Sequence, residues 1–323
     1  MLATGKSFRT PRESELIHFG QAMASVVGRA RVASGELNLA CTIAAGAGGT
    51  RKTYTINGEG VRYARFLGSV KVVAFVPSDL ALISGAPSLR RAMVNEALSL
   101  ADRRYYHALA RYRKAMLQKS ALLRGLAGPP EADLLATYDA TLVDSGTELI
   151  LARRHYLAAL GDAAGSIYGH WIPRERFSVA YVPDVPAETP TPDAVAAEFS
   201  QRLREQRPAE LSRKRCLVGP HRDEIALELD GEALARFGSQ GQQRTAVLAL
   251  KLAEYAVLRD MAGEAPVLLL DDVLSELDAE RAEMFLHGLH EIEQAFVTST
   301  HAPEGLRLQG AMWRVEGARL VRC

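Results

Sequence analysis

Residues 266–278 read PVLLLDDVLSELD, an unbroken apolar run after a proline that ends in paired carboxylates. A short continuous apolar run bounded in this way predicts a strand buried on both faces, as in parallel sheets. Parallel sheets bind ligands in the crevice beyond the carboxyl ends of their strands, which would set Asp271 and Asp272 at a crevice. Hard divalent cations such as Mg²⁺ favour carboxylate oxygens and phosphates in such places. A buried strand ending in a solvated acidic turn fits the same letters, but the cation-binding reading is the favoured one for this stretch.

Upstream, residues 237–255 read FGSQGQQRTAVLALKLAEY. Ser239 is placed to cap a helix, and Gly241 lets backbone approach a ligand closely. The free N–H groups of a helix start form a natural phosphate site. Ala246, Leu250, Ala253 and Val257 then share a helical face suited to packing. An ordinary capped helix after a polar loop accounts for these residues equally well.

The 323 residues have room for two domains of ordinary size, and 48% hydrophobic with 24% charged residues is normal for a soluble globular protein. No apolar run approaches the ~18 residues of a membrane span, and the first residues lack the apolar segment of a signal peptide. The three cysteines, Cys41, Cys216 and Cys323, are odd in number and widely spaced, which points to reduced thiols and a cytoplasmic protein. A net charge of +1 does not argue for nucleic acid, so any contact with it must come from a local patch. Such a patch is present in residues 90–124. Arg90, Arg91, Arg103, Arg104, Arg111, Arg113, Lys114, Lys119 and Arg124 outnumber Glu96 and Asp102 there, with Tyr105, Tyr106 and Tyr112 interleaved. On charge alone, a solvated helix face explains them at least as well.

Along the chain, residues 28–75 alternate and turn like strands and hairpins, with a tight-turn signal at Ile56-Asn57-Gly58. Helices are expected at 88–124, 131–168 and 193–207, with a strand-like, proline-containing stretch at 177–191 between the last two. β character returns at Cys216. A helix is then expected at 239–259, a strand at 266–270, a helix at 279–289, a strand at 295–299 and a hairpin at 312–321. A helical block between two β-containing blocks suggests one α/β domain interrupted by an insertion. The boundaries drawn are 1–84 and 210–323 for the two parts of a head, and 85–209 for a helical lobe.

Together, the S-x-G-Q helix start, the apolar strand, Asp-Asp and S-E-L-D resemble the C-terminal half of an ABC ATPase head. Ser239, Gln240, Gly241 and Gln242 match its signature motif, Asp271 the Walker B aspartate that supports Mg²⁺, and Ser275 to Asp278 the D-loop. Asp272 takes the place of the general base, usually Glu, and His301 lies near the position of a switch histidine. LATGKSFRT at the start, VVAFVPSDLALISGAPSLRR at 72–91 and GPHRDE at 219–224 occur with these motifs, in this order, in RecF-like proteins. The chain resembles the RecF family of SMC-like ATPases over nearly its whole length.

That resemblance implies an α/β fold: an ABC-type ATPase head, a mixed sheet with flanking helices, interrupted by a helical lobe. It implies ATP and Mg²⁺ as cofactors and an ATP-dependent homodimer in which one subunit's signature helix caps the nucleotide of the other. It implies DNA as a partner, at single-strand gaps and duplex junctions, with RecR and RecO to help load recombinase in recombinational repair and at replication forks. It also lifts DNA binding by Arg103, Arg104, Arg111, Arg113 and Lys114 above the solvated-face reading.

The family pattern departs at the front. A P-loop needs G-x-x-x-x-G-K-[ST] between a strand and a helix, and no such string occurs. Gly5-Lys6-Ser7 imitates its end, but Pro11 falls where the phosphate-binding helix should run. The N-terminal P-loop unit, about 40 residues if it has the usual supersecondary size, is therefore expected upstream of Met1, from a start codon assigned too late. Weak ATPase activity is expected of the intact protein and poor ATP binding of the chain without that unit. A DNA-binding scaffold with a non-functional nucleotide site and another class of ABC ATPase are the competing readings.

Overall fold

A computed structural model describes residues 1–10, 12–46, 48–125, 132–273, 279–289, 292–300, 310–317 and 319–322. The chain opens with an antiparallel meander of β1 (Met23–Val32), β2 (Gly35–Gly46), β3 (Gly49–Ile56) and β4 (Glu59–Val61), in that spatial order. The β3–β4 turn is the one expected from sequence. Ile56 pairs with Glu59, and the two residues between, Asn57 and Gly58, have φ of 53° and 84°, as a two-residue hairpin turn requires. Leu39 and Cys41 of β2 point inward onto Phe66 of the short helix α1 (Tyr63–Phe66).

A parallel sheet follows, built from segments far apart in sequence. β5 (Val72–Phe75) and β10 (Ala295–Thr298) flank β9 (Val267–Asp271), giving the order β10-β9-β5, parallel throughout. Leu268 and Leu270 of β9 are buried, while Val267 and Leu269 on its other face are half-buried, so the strand expected to be buried on both faces is fully covered on one only. Between β5 and β9 come α2 (Ala81–Ser84), α3 (Pro87–Ala101), α4 (Arg103–Gly125), α5 (Ala132–Trp171), β6 (Phe177–Val182) and α6 (Pro192–Arg213). Then β7 (Glu224–Leu229) and β8 (Glu232–Ala233) pair with β6 in an antiparallel sheet, and α7 (Leu234–Phe237) leads into α8 (Gln240–Ala262). Helix α9 (Ala279–Gly288) precedes β10, and β11 (Trp313–Glu316) with β12 (Arg319–Arg322) forms the expected terminal hairpin.

Three expectations about element boundaries are corrected. The helix expected at 88–124 is two helices, because Asp102 is extended at φ −133° and its carboxylate accepts the Arg104 N–H at 2.7 Å, starting a second helix. Helix α6 runs through Pro208 to Arg213, so proline is tolerated inside it at the loss of one donor. The strand-like stretch 177–191 is a strand only over its first six residues.

One buried cluster joins these layers, from Val73 and Phe75 of β5 through Tyr112, Tyr156 and Tyr168 to Leu248 and Leu268. Helix α5 lies at its centre, packing on α4, α6, α8 and β6. Burial of a large aromatic or leucine side chain contributes about 1.5–3 kcal/mol, so this helix gathers much of the driving force for the fold. Among the described residues, no helix is long and apolar enough to cross a membrane.

Candidate nucleotide site and nucleic-acid interface

At the carboxyl end of β9 the chain turns sharply. Asp272 has φ 55°, in the left-handed region that a non-glycine residue enters only at a cost. Its N–H donates to both the carbonyl and the hydroxyl of Thr298, at 3.1 Å each. The Thr298 hydroxyl in turn donates to the Asp271 carboxylate at 2.7 Å. The end of β10 thus holds the two aspartates in place, both half-buried.

At the start of α8, Ser239 and Gln242 form a reciprocal capping box. The Ser239 hydroxyl accepts the Gln242 backbone N–H at 3.2 Å, and the Gln242 side-chain Oε1 accepts the Ser239 N–H at 2.7 Å. The Gln242 amide also donates to Glu175 at 2.9 Å, which in turn holds Tyr168 at 2.5 Å. The Gln242 side chain is therefore committed to internal bonds. The N–H groups of Gln240 and Gly241 bond nothing among the described residues, so the backbone is what this turn offers an anion. Ser239 and Gln240 are exposed.

The aspartates and the Ser239 turn do not converge within one chain. Phe75 pairs with Leu270, so β5 and β9 end together, and just past β5 Asp79 lies 3.9 Å from Lys251 of α8. That level is about 18 Å along the helix axis from Ser239. His301 and the stretch from Ser275 to Asp278 lie outside the described residues. Among the described residues there is no cluster of three or more His, Cys, Asp or Glu that could cage a metal. Asp271 as a single carboxylate nevertheless suits Mg²⁺, which is commonly held by one or two carboxylates with the remaining positions on phosphate and water.

Gly5-Lys6-Ser7 is no phosphate cradle. Gly5 is buried, its carbonyl accepts Lys52 Nζ at 2.7 Å, and an added Cβ would come within 2.8 Å of Tyr63.

The basic stretch separates into two sets. Arg103, Arg104, Arg111, Arg113 and Lys114 are all exposed on α4. Arg111 is already paired, with Glu148 at 2.5 Å. Lys119 is a correction: it is fully buried and bridges Glu210 at 2.5 Å and Asp139 at 2.7 Å. Tyr105 and Tyr112 are buried too, so neither can stack on a base, and Arg90 and Arg91 face inward to residues 223–224.

The network around Asp223 was not anticipated. Asp223 is fully buried and accepts from Arg153 at 2.6 Å, Tyr181 at 2.5 Å and the Asp184 N–H at 3.0 Å. Arg153 also reaches the Pro220 carbonyl and Asn95. Burial sets the His221 pKa down to about 4, and Nδ1 shares a hydrogen with the Tyr112 hydroxyl at 2.6 Å. The motif GPHRDE marked this place in the sequence, but nothing in it pointed to Arg153 in the middle of a long helix.

No protein-family model matches the chain. Among curated proteins, the DNA replication and repair protein RecF of Gloeobacter violaceus is 39% identical over 308 residues, spanning 93% of this chain and 80% of its own length. The chain belongs to the RecF family. The RecF of Synechococcus sp. strain JA-3-3Ab is 37% identical and aligns with the whole of this chain and 84% of its own. A solved structure of the recombination mediator RecF with ATP, from the RecFOR pathway, superimposes with a TM-score of 0.89 at 29% identity, covering all of this chain and 86% of that one. A second, with an ATP analogue, matches at the same TM-score. Membership in the RecF family establishes the ABC-type ATPase head with its helical insertion and removes the reading as another class of ABC ATPase.

Proposed function

We propose that this RecF-family protein is an ATP-dependent DNA clamp of recombinational repair and replication-fork maintenance. It binds single-strand gaps and duplex junctions and helps load recombinase with RecR and RecO. The relatives' names and the RecFOR-pathway structures support the pathway, and the ATP-bound neighbours support the nucleotide. We propose the head at 1–84 and 210–323 and the lobe at 85–209 as the working parts.

The observation that carries the reading is the separation of Ser239 from Asp271 in one chain. A site made of both needs two protomers, as an ATP-sandwiched homodimer supplies. In that dimer Asp271 would hold Mg²⁺ through water, oriented by Thr298. The bound ion would neutralise charge on the phosphates. Gln240 and Gly241 of the partner protomer would offer backbone N–H groups to the terminal phosphate, with Ser239 fixing the turn. Asp272 would take a proton from the attacking water. Its side chain is one methylene shorter than the usual Glu, which places the base less well and favours slow hydrolysis, so ATP acts more as a clamp-closing switch than as fuel. His301 is proposed to sense the nucleotide. The exposed Arg103, Arg104, Arg113 and Lys114 would contact backbone phosphates, with Arg111 released from Glu148 to join them, giving sequence-independent binding.

Fluorescence anisotropy with a gapped duplex tests this reading. Binding strengthened by ATP–Mg²⁺ and weakened by salt supports the clamp. Binding indifferent to nucleotide favours the scaffold with a non-functional site.

A further inference from the structure

We infer that the cavity where the GAPSLRR stretch (85–91) meets GPHRDE (219–224) binds a phosphate group carried by a nucleic-acid strand, at a site separate from the nucleotide site. The cavity is about 430 Å³ and is lined by Pro87, Arg91, Arg215, Cys216, His221 and Arg222. Three arginines thus line it, and no acidic residue is among the lining residues.

Of the nearby acids, Asp223 and Glu224 are engaged elsewhere, while Asp184 accepts from the Gly219 N–H and pairs with Arg222. The Asp223 carboxylate is taken by Arg153, Tyr181 and the Asp184 N–H, and Glu224 by Arg90 at 2.9 Å. Arg91 therefore donates to the main-chain carbonyl of Asp223, at 2.7 Å, and makes no ion pair among the described residues. Arg222 reaches Asp184 at 3.3 Å yet keeps 45% of its side chain exposed. Arg215 is exposed, and its side chain bonds nothing among the described residues. Burial first, and then the nearby Arg153, hold Arg91 below the usual guanidinium range, while Asp223 and Glu224 oppose the shift.

The wall is built to stay in place. Lys214, at φ 53°, closes α6 in the left-handed region and turns the chain so that Arg215 and Cys216 reach the cavity. Gly219, at φ 127°, passes so close to Tyr112 that a Cβ would fall 2.4 Å from its hydroxyl. His221 is neutral near pH 7, so the arginines alone supply the charge. Arginine forks match phosphate oxygens two at a time. The exposed Arg213 and Lys214 continue the basic surface outward, along the path a strand would take. An acidic peptide would bring apolar side chains as well, for which only Pro87 and Cys216 are at hand.

The proposal does not depend on the nucleotide reading and is tested without ATP. Binding of a fluorescent single-stranded oligonucleotide, with a 5′-phosphate or a 5′-hydroxyl, is compared between the wild type and the Arg215→Gln/Arg222→Gln variant. The expected loss is about ten-fold at low salt, with an unchanged melting temperature and partial recovery in Arg215→Lys/Arg222→Lys. A loss for both oligonucleotides assigns the cavity to internal phosphodiesters, and a loss for the 5′-phosphorylated one alone assigns it to strand ends. Equal affinities in wild type and variant overturn the proposal. So does a variant that loses calorimetric binding of inorganic phosphate only, or of a glutamate-rich peptide only.

Discussion

The Thr298 hydroxyl donates to the Asp271 carboxylate at 2.7 Å while the backbone N–H of Asp272 donates back to Thr298. Two neighbouring strands are thereby locked at the point where β9 ends, and the aspartates are oriented by a residue remote in sequence.

Thr298→Val keeps the shape and removes the hydroxyl. The expected cost is about 1 kcal/mol in urea unfolding, because the pair is partly solvated. ATPase activity should fall more than stability. An activity loss no larger than the stability loss would count against an orienting role for Thr298.

Asp223→Asn should be far more damaging. Arg153 is only 3% exposed and would keep a buried charge without its counter-ion. Removing one partner of such a pair typically costs about 3–5 kcal/mol. Chemical denaturation that showed a loss below about 1 kcal/mol would mean that water or rearrangement satisfies Arg153.

His221 makes stability depend on pH in a defined window. Burial lowers its pKa from 6.5 to about 4, so between these values the unfolded chain takes up a proton that the folded chain refuses. The contribution is fully present above pH 6.5 and is lost as pH falls toward 4, by up to about 3 kcal/mol. Many carboxylates titrate near the lower end, so the test is a difference. His221→Gln should flatten the stability curve between pH 6.5 and 5 relative to wild type, and parallel curves would contradict the assignment.

On α4, Arg113→Gln/Lys114→Gln should weaken DNA binding for all sequences alike. The slope of log affinity against log salt should drop by about one for each phosphate that the variant no longer neutralises. Arg111→Gln should do less, because Glu148 already occupies that side chain. An effect of Arg111→Gln larger than that of the pair would move the interface toward α5.

Much of this architecture was legible in the letters. The apolar run before Asp271 gave a parallel strand, fully buried on the Leu268 and Leu270 face and half-buried on the other. Asn57-Gly58 gave a hairpin turn because both residues tolerate positive φ. Ser239 was recognisable as a cap for a similar local reason. What escaped was non-local or locally outweighed. Lys119 looks like surface charge until α6 brings Glu210 against it, and Arg153 has no partner within its own helix. Pro208 read as a helix end, yet the buried Phe199, Leu203 and Glu210 on either side carry the helix past it. Asp102 ended one helix by capping the next, a choice the surrounding basic run concealed.

The homodimer rests on Ser239 of one protomer completing the site of Asp271 in the other. Sedimentation of the full-length protein measures this most directly, with and without ATP–Mg²⁺ and as wild type and Ser239→Arg. A doubling of mass with nucleotide in the wild type only is the predicted result. No nucleotide-dependent change in mass, or the same doubling in Ser239→Arg, would contradict the account.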